Sequence, residues 1–314
     1  MFRLSLKLAQ SPVFFTNGGI FEMHKGLWRV VVILVVMMVV ITGCGKSTGK
    51  PAELGQQNSS LTVKVLDIGQ GDAILIRAAG QTLLVDTGDI EHRDKMVAYI
   101  KKEGITTIDK VIITHPHADH LGGMPGILEN FAVGHIYDSG KTGTTALYRQ
   151  YLSVVNKKNI PFTIATPGTE IVIGDHIKLK IFAPEKSLLA DEELNNSSIV
   201  AKLIYNKFTM LLTGDAERES EALMLKSYGS ELKSNVLKAG HHGSNTSSTP
   251  EFLKAVGPEA AIISLGANND YHHPHPSTLK KYEQAKLKVY RTDLDGTVTI
   301  TSDGNTYTIT KEKG

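Results

Sequence analysis

Short apolar runs closed by Gly, Asp, Asn or Pro alternate along this chain with stretches of helical spacing. Strands are predicted at residues 61–68, 73–77 and 81–85, followed by a helix over 90–102, a buried strand at 111–114 and a short helix over 121–130. Leu147, Tyr151, Leu152 and Val155 repeat at helical intervals and predict a third helix over 144–158. A β-rich stretch follows, with strands at 162–165, 170–173, 177–182, 199–205 and 209–212. Then come a helix from about 216 to 228, strands at 236–238 and 261–264, and helices around 250–255 and 277–285. Residues 288–310 read as a closing set of strands, with Asp303-Gly304 marking a hairpin turn. There is no internal repeat. Two successive runs of strands then helices predict an α/β (α+β) fold of two packed sheets with helices outside, and loops gathered at one sheet edge.

Upstream the pattern changes. Lys25 and Arg29 lead into an apolar run at 30–41 that is too short to span a bilayer but suits the core of a signal peptide. Ile41-Thr42-Gly43-Cys44 then resembles a bacterial lipobox, which places cleavage before Cys44 and a lipid on its thiol. Met23 is the better start for such a signal, so residues 1–22 read as an extension. The expected organisation is an extension and lipoprotein-type signal over 1–44, a Gly/Ser/Lys/Gln-rich linker over 45–60 and a folded domain over 61–314. An uncleaved N-terminal anchor, or secretion, is the alternative. Each puts the domain outside the cytoplasm, with a membrane partner where Cys44 is lipidated; the sequence does not set the oligomeric state.

Composition narrows the classes further. With 41% hydrophobic and 21% charged residues over 314 positions, the chain is neither disordered nor a membrane channel. The net charge is +2, and a surplus of three positive charges precedes Cys44, so the remainder stands at −1. That is unlike a uniformly basic nucleic-acid binder. Cys44 is the single cysteine, which excludes an intramolecular disulfide and a cysteine-rich metal site.

The chemistry concentrates in a few loops. Thr114-His115-Pro116-His117-Ala118-Asp119-His120-Leu121-Gly122-Gly123 puts four candidate metal ligands, His115, His117, Asp119 and His120, within six residues. Two apart on extended chain, His115 and His117 point the same way, while Asp119 and His120 follow a turn toward a second position. Imidazole and carboxylate suit borderline divalent ions such as Zn²⁺. Asp67 and Asp86 each close an apolar strand, and either can hold a metal-bound histidine by its other nitrogen. Asp215 closes another strand, and one carboxylate can join ions about 3.5–4 Å apart. His241 and His242 stand in a glycine loop where one can complete a metal shell and the other face substrate, with Ser244 and backbone N–H groups available to a phosphate. Tyr271 to Pro276 adds three more histidines, among them His273, held extended by two prolines.

The segments VLDIGQGDAILI, LLVDTG, THPHADHLGG, NNSSIV, LLTGD, LKAGHHGS and HHPHP together resemble the metallo-β-lactamase superfamily, and within it the extracytoplasmic hydrolase domain of the ComEC family of DNA-uptake competence proteins. The resemblance runs over about residues 61–310 and omits that family's membrane-channel and oligonucleotide-binding parts. It implies a four-layer αβ/βα sandwich and two divalent metal ions, Zn or Mn. His115 and His117 would lie on the first ion, Asp119 and His120 on the second, Asp215 between them, and His242 would close the second site, though His241 and His242 could exchange roles. Where most superfamily members carry a further histidine, this chain has Asn195-Asn196-Ser197-Ser198, so Asn196 and Ser198 are expected as supporting oxygen groups on the weaker first site, which shifts preference toward Mn²⁺.

The expected activity is metal-dependent hydrolysis of a phosphodiester, with extracellular DNA or nucleotides as the leading substrates, Asp119 orienting water and His241 and His273 contacting phosphoryl or leaving-group oxygens. Alternatives are an envelope phosphodiester such as phosphorylcholine teichoic acid, a β-lactam, or a surface lipoprotein that binds DNA or a partner without catalysis.

Overall fold

A computed structural model describes residues 60–190 and 192–314, which fall in one unit by their internal contacts. The expected signal segment, Cys44 and the linker up to residue 59 lie outside the described residues. No helix among the described residues is long and apolar enough to cross a membrane.

The first sheet begins with β1 (Leu61–Val65), β2 (Ile74–Ala78) and β3 (Gln81–Val85), which pair antiparallel as a meander. α1 (Arg93–Lys102) then crosses to β4 (Thr107–Ile113), parallel to β3. The loop after β4 contains a one-turn helix, α2 (Ala118–Leu121), and α3 (Met124–Asn130), so the single helix expected over 121–130 is in fact two, divided at Gly122-Gly123. β5 (Ala132–Asp138), α4 (Ala146–Lys157) and β6 (Phe162–Ile164) complete the parallel half.

The second sheet is built from β7 (Glu170–Val172), β8 (Ile177–Ala183), β9 (Val200–Tyr205) and β10 (Phe208–Leu212), all antiparallel, then α5 (Arg218–Tyr228), β11 (Val236–Lys238), α6 (Pro250–Val256), β12 (Ala260–Ile263), α7 (Pro276–Gln284) and β13 (Lys288–Arg291), whose strands run parallel to β10. After the short α8 (Thr292–Asp295), β14 (Val298–Ser302) and β15 (Tyr307–Lys311) return to the first sheet beside β1. The expected closing set of strands is therefore divided between the sheets. Asp303 makes the hairpin turn by accepting the N–H groups of Asn305 and Thr306.

Strand orders are β15-β14-β1-β2-β3-β4-β5-β6 and β13-β12-β11-β10-β9-β8-β7. Alternation along β1 turns Leu61, Val63 and Val65 inward to meet Leu179, Leu203 and Met210 of the second sheet. Met96, Ile127 and Tyr151 cover the outer face of the first sheet, and Met224, Phe252 and Tyr282 that of the second. Helix, sheet, sheet, helix is the four-layer order expected.

This topology places the carboxyl ends of β3, β4, β10, β11 and β12 at one edge, the usual ligand-binding edge of parallel strands. The loop from Leu66 to Ala73 closes that edge from behind. Gly71, at φ +101°, packs so closely that a Cβ would lie 1.9 Å from the Asp119 carbonyl oxygen. Gly71→Ala is expected to lower the melting temperature by roughly 5–10 °C, from about 2–3 kcal/mol of backbone strain and displacement in a domain of this size; an unchanged thermal melt would show that the loop yields freely.

Candidate metal centre

Three of the histidines here, His115, His120 and His242, are fixed through Nδ1. Asp86 follows β3 at φ +55°, fully buried, and accepts from the Thr114 N–H (2.8 Å), the Thr114 hydroxyl (2.7 Å) and His120 Nδ1 (2.7 Å). Because its proton goes to Asp86, the Thr114 hydroxyl accepts from His115 Nδ1 at 3.1 Å, and Ser198 Oγ lies 3.2 Å from the same nitrogen. His242 Nδ1 has the Ser264 carbonyl at 2.9 Å, an acceptor only, so its proton sits there. The network thus assigns the Nδ1–H form to His115, His120 and His242 and leaves three Nε2 lone pairs facing one another.

Asp215 lies where they converge. Its N–H donates to Ser198 Oγ (3.0 Å); its Oδ2 is 3.2 Å from His120 Nε2 and 3.8 Å from His115 Nε2, and its Oδ1 is 3.4 Å from His242 Nε2. Asp119 Oδ2 is 3.2 Å from His242 Nε2. The ligand atoms fall into two sets, each within 4.8 Å: Asp119, His120, Asp215 and His242, and His115, His117 and Asp215. His120 Nε2, His242 Nε2 and Asp215 Oδ1 are buried without a hydrogen-bond partner. Buried polar atoms rarely stay unpaired, and three mutually facing ones of this chemistry fit a divalent cation.

Electrostatics agree. Burial works against charge on His120, but Asp215, Asp119 and Asp86 outweigh it and lift the imidazole well above its ordinary value. Burial likewise opposes charge on His242, yet Asp215 and Asp119 push it up to about 10. Burial opposes ionisation of Asp215 and Asp119, while His120 and His242 hold both carboxyls well below the ordinary range. Burial and the neighbouring His120 keep His115 neutral. Without a metal, protons on His120 and His242 supply the positive charge that the carboxylates demand. Loading the metal-free protein with Zn²⁺ near pH 7 should therefore release more than one proton per molecule, because ligands must be neutral imidazoles. Calorimetry in buffers of different ionisation enthalpy reads this directly, and a buffer-independent heat would contradict it.

The centre floors a cleft of about 600 Å³. His241 and His273 also line it, their rings 5.3 Å apart. His241 Nδ1 donates to Glu217 Oε1 (2.9 Å), which also accepts from the Thr246 hydroxyl and Asn195 Nδ2. Burial raises the Glu217 carboxyl, but these bonds from His241, Thr246 and Asn195 outweigh it and hold it below the ordinary range. His273 is kept neutral, down to about 4, by burial and the neighbouring His242 and His241. Asp86, His241 and His242 all have positive φ, a strained backbone typical of functional positions.

Three expected supporting residues are not where the sequence reading put them. Asp67 pairs with Lys313 (2.8 Å) and Lys95 (3.6 Å) on the surface, away from the histidines, because the strand before it ends at Val65 and the chain has already turned. Asn196 caps α5, its Oδ1 accepting from the Glu217 and Ser220 N–H groups. Ser244 Oγ is buried and accepts from Thr246, so it does not face the cleft. Ser198 does reach the centre. Thr114, Glu217 and Ser264 were not singled out from sequence; of these only Glu217, beside Asp215, carried a usable signal.

Residues 66–267 match the family described as the metallo-beta-lactamase superfamily. The chain is 30% identical over 254 residues to ComE operon protein 3 of Bacillus subtilis, covering 75% of this chain and 32% of that protein. It is 30% identical over 249 residues to competence protein ComA of Neisseria gonorrhoeae, covering 79% and 33%. It thus spans about a third of the length of these relatives. The crystal structure of the metallo-beta-lactamase fold protein YhfI from Bacillus subtilis superposes with a TM-score of 0.54 at 14% identity, over 78% of this chain and 100% of that one.

Proposed function

Since the chain belongs to the metallo-beta-lactamase superfamily, we propose that within this group of metal-dependent hydrolases it cleaves phosphodiesters, with extracellular DNA or nucleotides as the leading substrates. The observation that carries this is the convergence of three Nε2 lone pairs and Asp215 on the floor of a cleft that His241 and His273 also line. These donors would hold divalent ions, whose chemistry there would be Lewis-acid charge for phosphoryl oxygens and activation of water at neutral pH. Asp119, kept ionised by His120 and His242, is placed to orient an attacking water as a hydrogen-bond acceptor. His241, its Nδ1–H fixed on Glu217, turns Nε2 toward Asp215 at 3.9 Å, where it can take a proton from the attacking water and, once protonated, donate to a phosphoryl or leaving-group oxygen. Similarity to competence proteins supports a nucleic-acid substrate. The lipobox supports a site tethered outside the membrane through Cys44.

A second reading has its own observation. No lysine or arginine lines the cleft among the described residues, while Asp89, Glu91 and Asp270 stand there. Such a lining favours a phosphodiester flanked by neutral or cationic groups, such as a phosphorylcholine-bearing envelope polymer.

The test is hydrolysis of plasmid DNA, bis-p-nitrophenyl phosphate, p-nitrophenyl phosphorylcholine and nitrocefin by Mn²⁺- or Zn²⁺-loaded protein, with and without Asp119→Ala. Cleavage of one or more phosphodiesters, lost in the variant, is expected; DNA against the choline ester separates the two readings. Nitrocefin as the sole substrate, or activity indifferent to the substitution, would overturn the assignment. Less than one bound metal equivalent would leave a non-catalytic surface protein as the better reading.

A further inference from the structure

We propose that the buried ion pair Asp72–Lys238 is a positioning device for the metal centre, holding Asp119 and His242 in place from behind and across the two sheets. Lys238 is the last residue of β11 and is fully buried; its Nζ donates to Asp72 Oδ2 and to the Ala239 carbonyl, each at 2.8 Å. Asp72, 1% exposed, comes from the loop behind the centre in the first sheet. Its N–H donates to the Asp119 carbonyl (3.1 Å), and its own carbonyl accepts from the N–H of Gly88, two residues after Asp86 (2.7 Å). The preceding carbonyl, of Gly71, accepts from the hydroxyl of Ser264, whose carbonyl holds His242 Nδ1. Asp72 Oδ1 stands 3.5 Å from that same nitrogen and has no hydrogen-bond partner. One residue thus abuts the chain at Asp119 and the chain after Asp86 through its backbone, and the ring of His242 through its carboxylate, which the Lys238 ammonium holds in place.

The lysine explains how a fourth carboxylate can sit there. Asp72, Asp86 and His120 bring donor atoms within 4.8 Å of one another, but His120 Nδ1 is bonded to Asp86 and the ammonium already rests on Asp72. The group carries its own cation and is not a third metal site. A buried ion pair is a poor source of stability, since apolar replacement of both partners is often neutral. A carboxylate behind a ligating imidazole, by contrast, fixes the ring and makes it a better donor, and removing such support costs roughly 10–100-fold in metal affinity.

The proposal rests on the metal-centre reading above, not on any particular substrate. Its test is the double variant Asp72→Asn/Lys238→Met, which leaves neither charge unpaired, compared with wild type in the full chain. Three readouts are needed: the thermal melt, chelator-competition titration with Zn²⁺, and the visible spectrum of the Co²⁺ form. We expect a cooperative melt, a drop of roughly 10–100-fold in affinity for one metal equivalent, and an altered Co²⁺ band as His242 loses the negative charge behind its ring. Wild-type affinities within threefold and an unchanged spectrum would make the pair merely structural. Loss of the cooperative melt would make it a folding requirement, and either result overturns the proposal. Wild-type protein that binds no metal would instead remove the functional reading on which the proposal stands.

Discussion

Asp215→Ala is expected to lower phosphodiesterase activity by roughly a thousandfold, since losing several kcal/mol of transition-state charge stabilisation at 1.36 kcal/mol per tenfold has that effect. Asp215 is the one side chain common to both sets of converging donors. Its removal strips an anionic ligand from each, so bound metal should fall to less than half of the wild-type content by elemental analysis. Stability should move as well. In the metal-free protein the Asp215 carboxylate faces the raised imidazoles of His120 and His242. A carboxyl held below its ordinary 3.8 contributes stability above that value and loses it as pH falls through the folded pKa. An imidazole raised from 6.5 to about 10 contributes fully below 6.5 and loses that contribution as pH climbs toward 10. The melting deficit of metal-free Asp215→Ala should therefore be largest between about pH 4 and 6.5 and shrink toward pH 10. A deficit independent of pH, or a variant that keeps the wild-type metal content, would show that the donors do not meet on Asp215.

Much of this centre was legible because its ligands are contiguous or close apolar strands. His115 to His120 is one loop, and Asp86 and Asp215 each follow a run of buried residues that could only be a strand ending at the edge. The hidden parts depend on partners distant in sequence. Lys238 closes β11 and reads as a solvated strand end, yet it is fully buried because Asp72, from the other sheet, meets it there. Thr114 reads only as the end of a buried strand until its hydroxyl is seen to relay between Asp86 and His115. β5 was missed because Gly134 and His135 interrupt its apolar run, although its pairing with β4 holds it as strand. The return of β14 and β15 to the first sheet is set by pairing with β1, whose register no local pattern announces. Asp67 and Asp86 look alike in sequence, each an aspartate after an apolar run. Only the fold separates them, because β3 lies beside β4 while the chain after Val65 turns toward Lys95 and Lys313.

Asp86→Asn should fold and yet fail to hold metal at His120, and the reason is a tautomer. Asp86 presents acceptors only: Oδ1 to the Thr114 N–H, Oδ2 to the Thr114 hydroxyl and to His120 Nδ1–H. Asparagine has one oxygen, which the Thr114 N–H claims because a backbone N–H cannot reverse its role. The amide NH₂ then faces the Thr114 hydroxyl and His120 Nδ1, both of which must become acceptors. For His120 this moves its proton from Nδ1 to Nε2, the lone pair turned toward Asp215. The Thr114 hydroxyl, now accepting from the amide, also ceases to hold His115 Nδ1–H in the same way. A histidine left in the wrong tautomer behind an Asp→Asn change can lose about 10⁴ in rate, and altered support of a metal ligand alone costs roughly 10–100-fold in affinity. A loss of activity between those limits is expected, with a modest melting deficit, because the amide still pairs with the Thr114 N–H, the Thr114 hydroxyl and His120 and strands only the hydroxyl proton. Asp86→Ala should behave differently. It leaves the Thr114 N–H, the Thr114 hydroxyl and His120 Nδ1–H without an acceptor, at about 1–3 kcal/mol for each buried group so stranded, and it should melt well below the asparagine variant. Metal titration and melting of the two variants side by side give the decision. Should Asp86→Asn take up both metal equivalents with wild-type affinity, Asp86 does not set the His120 tautomer.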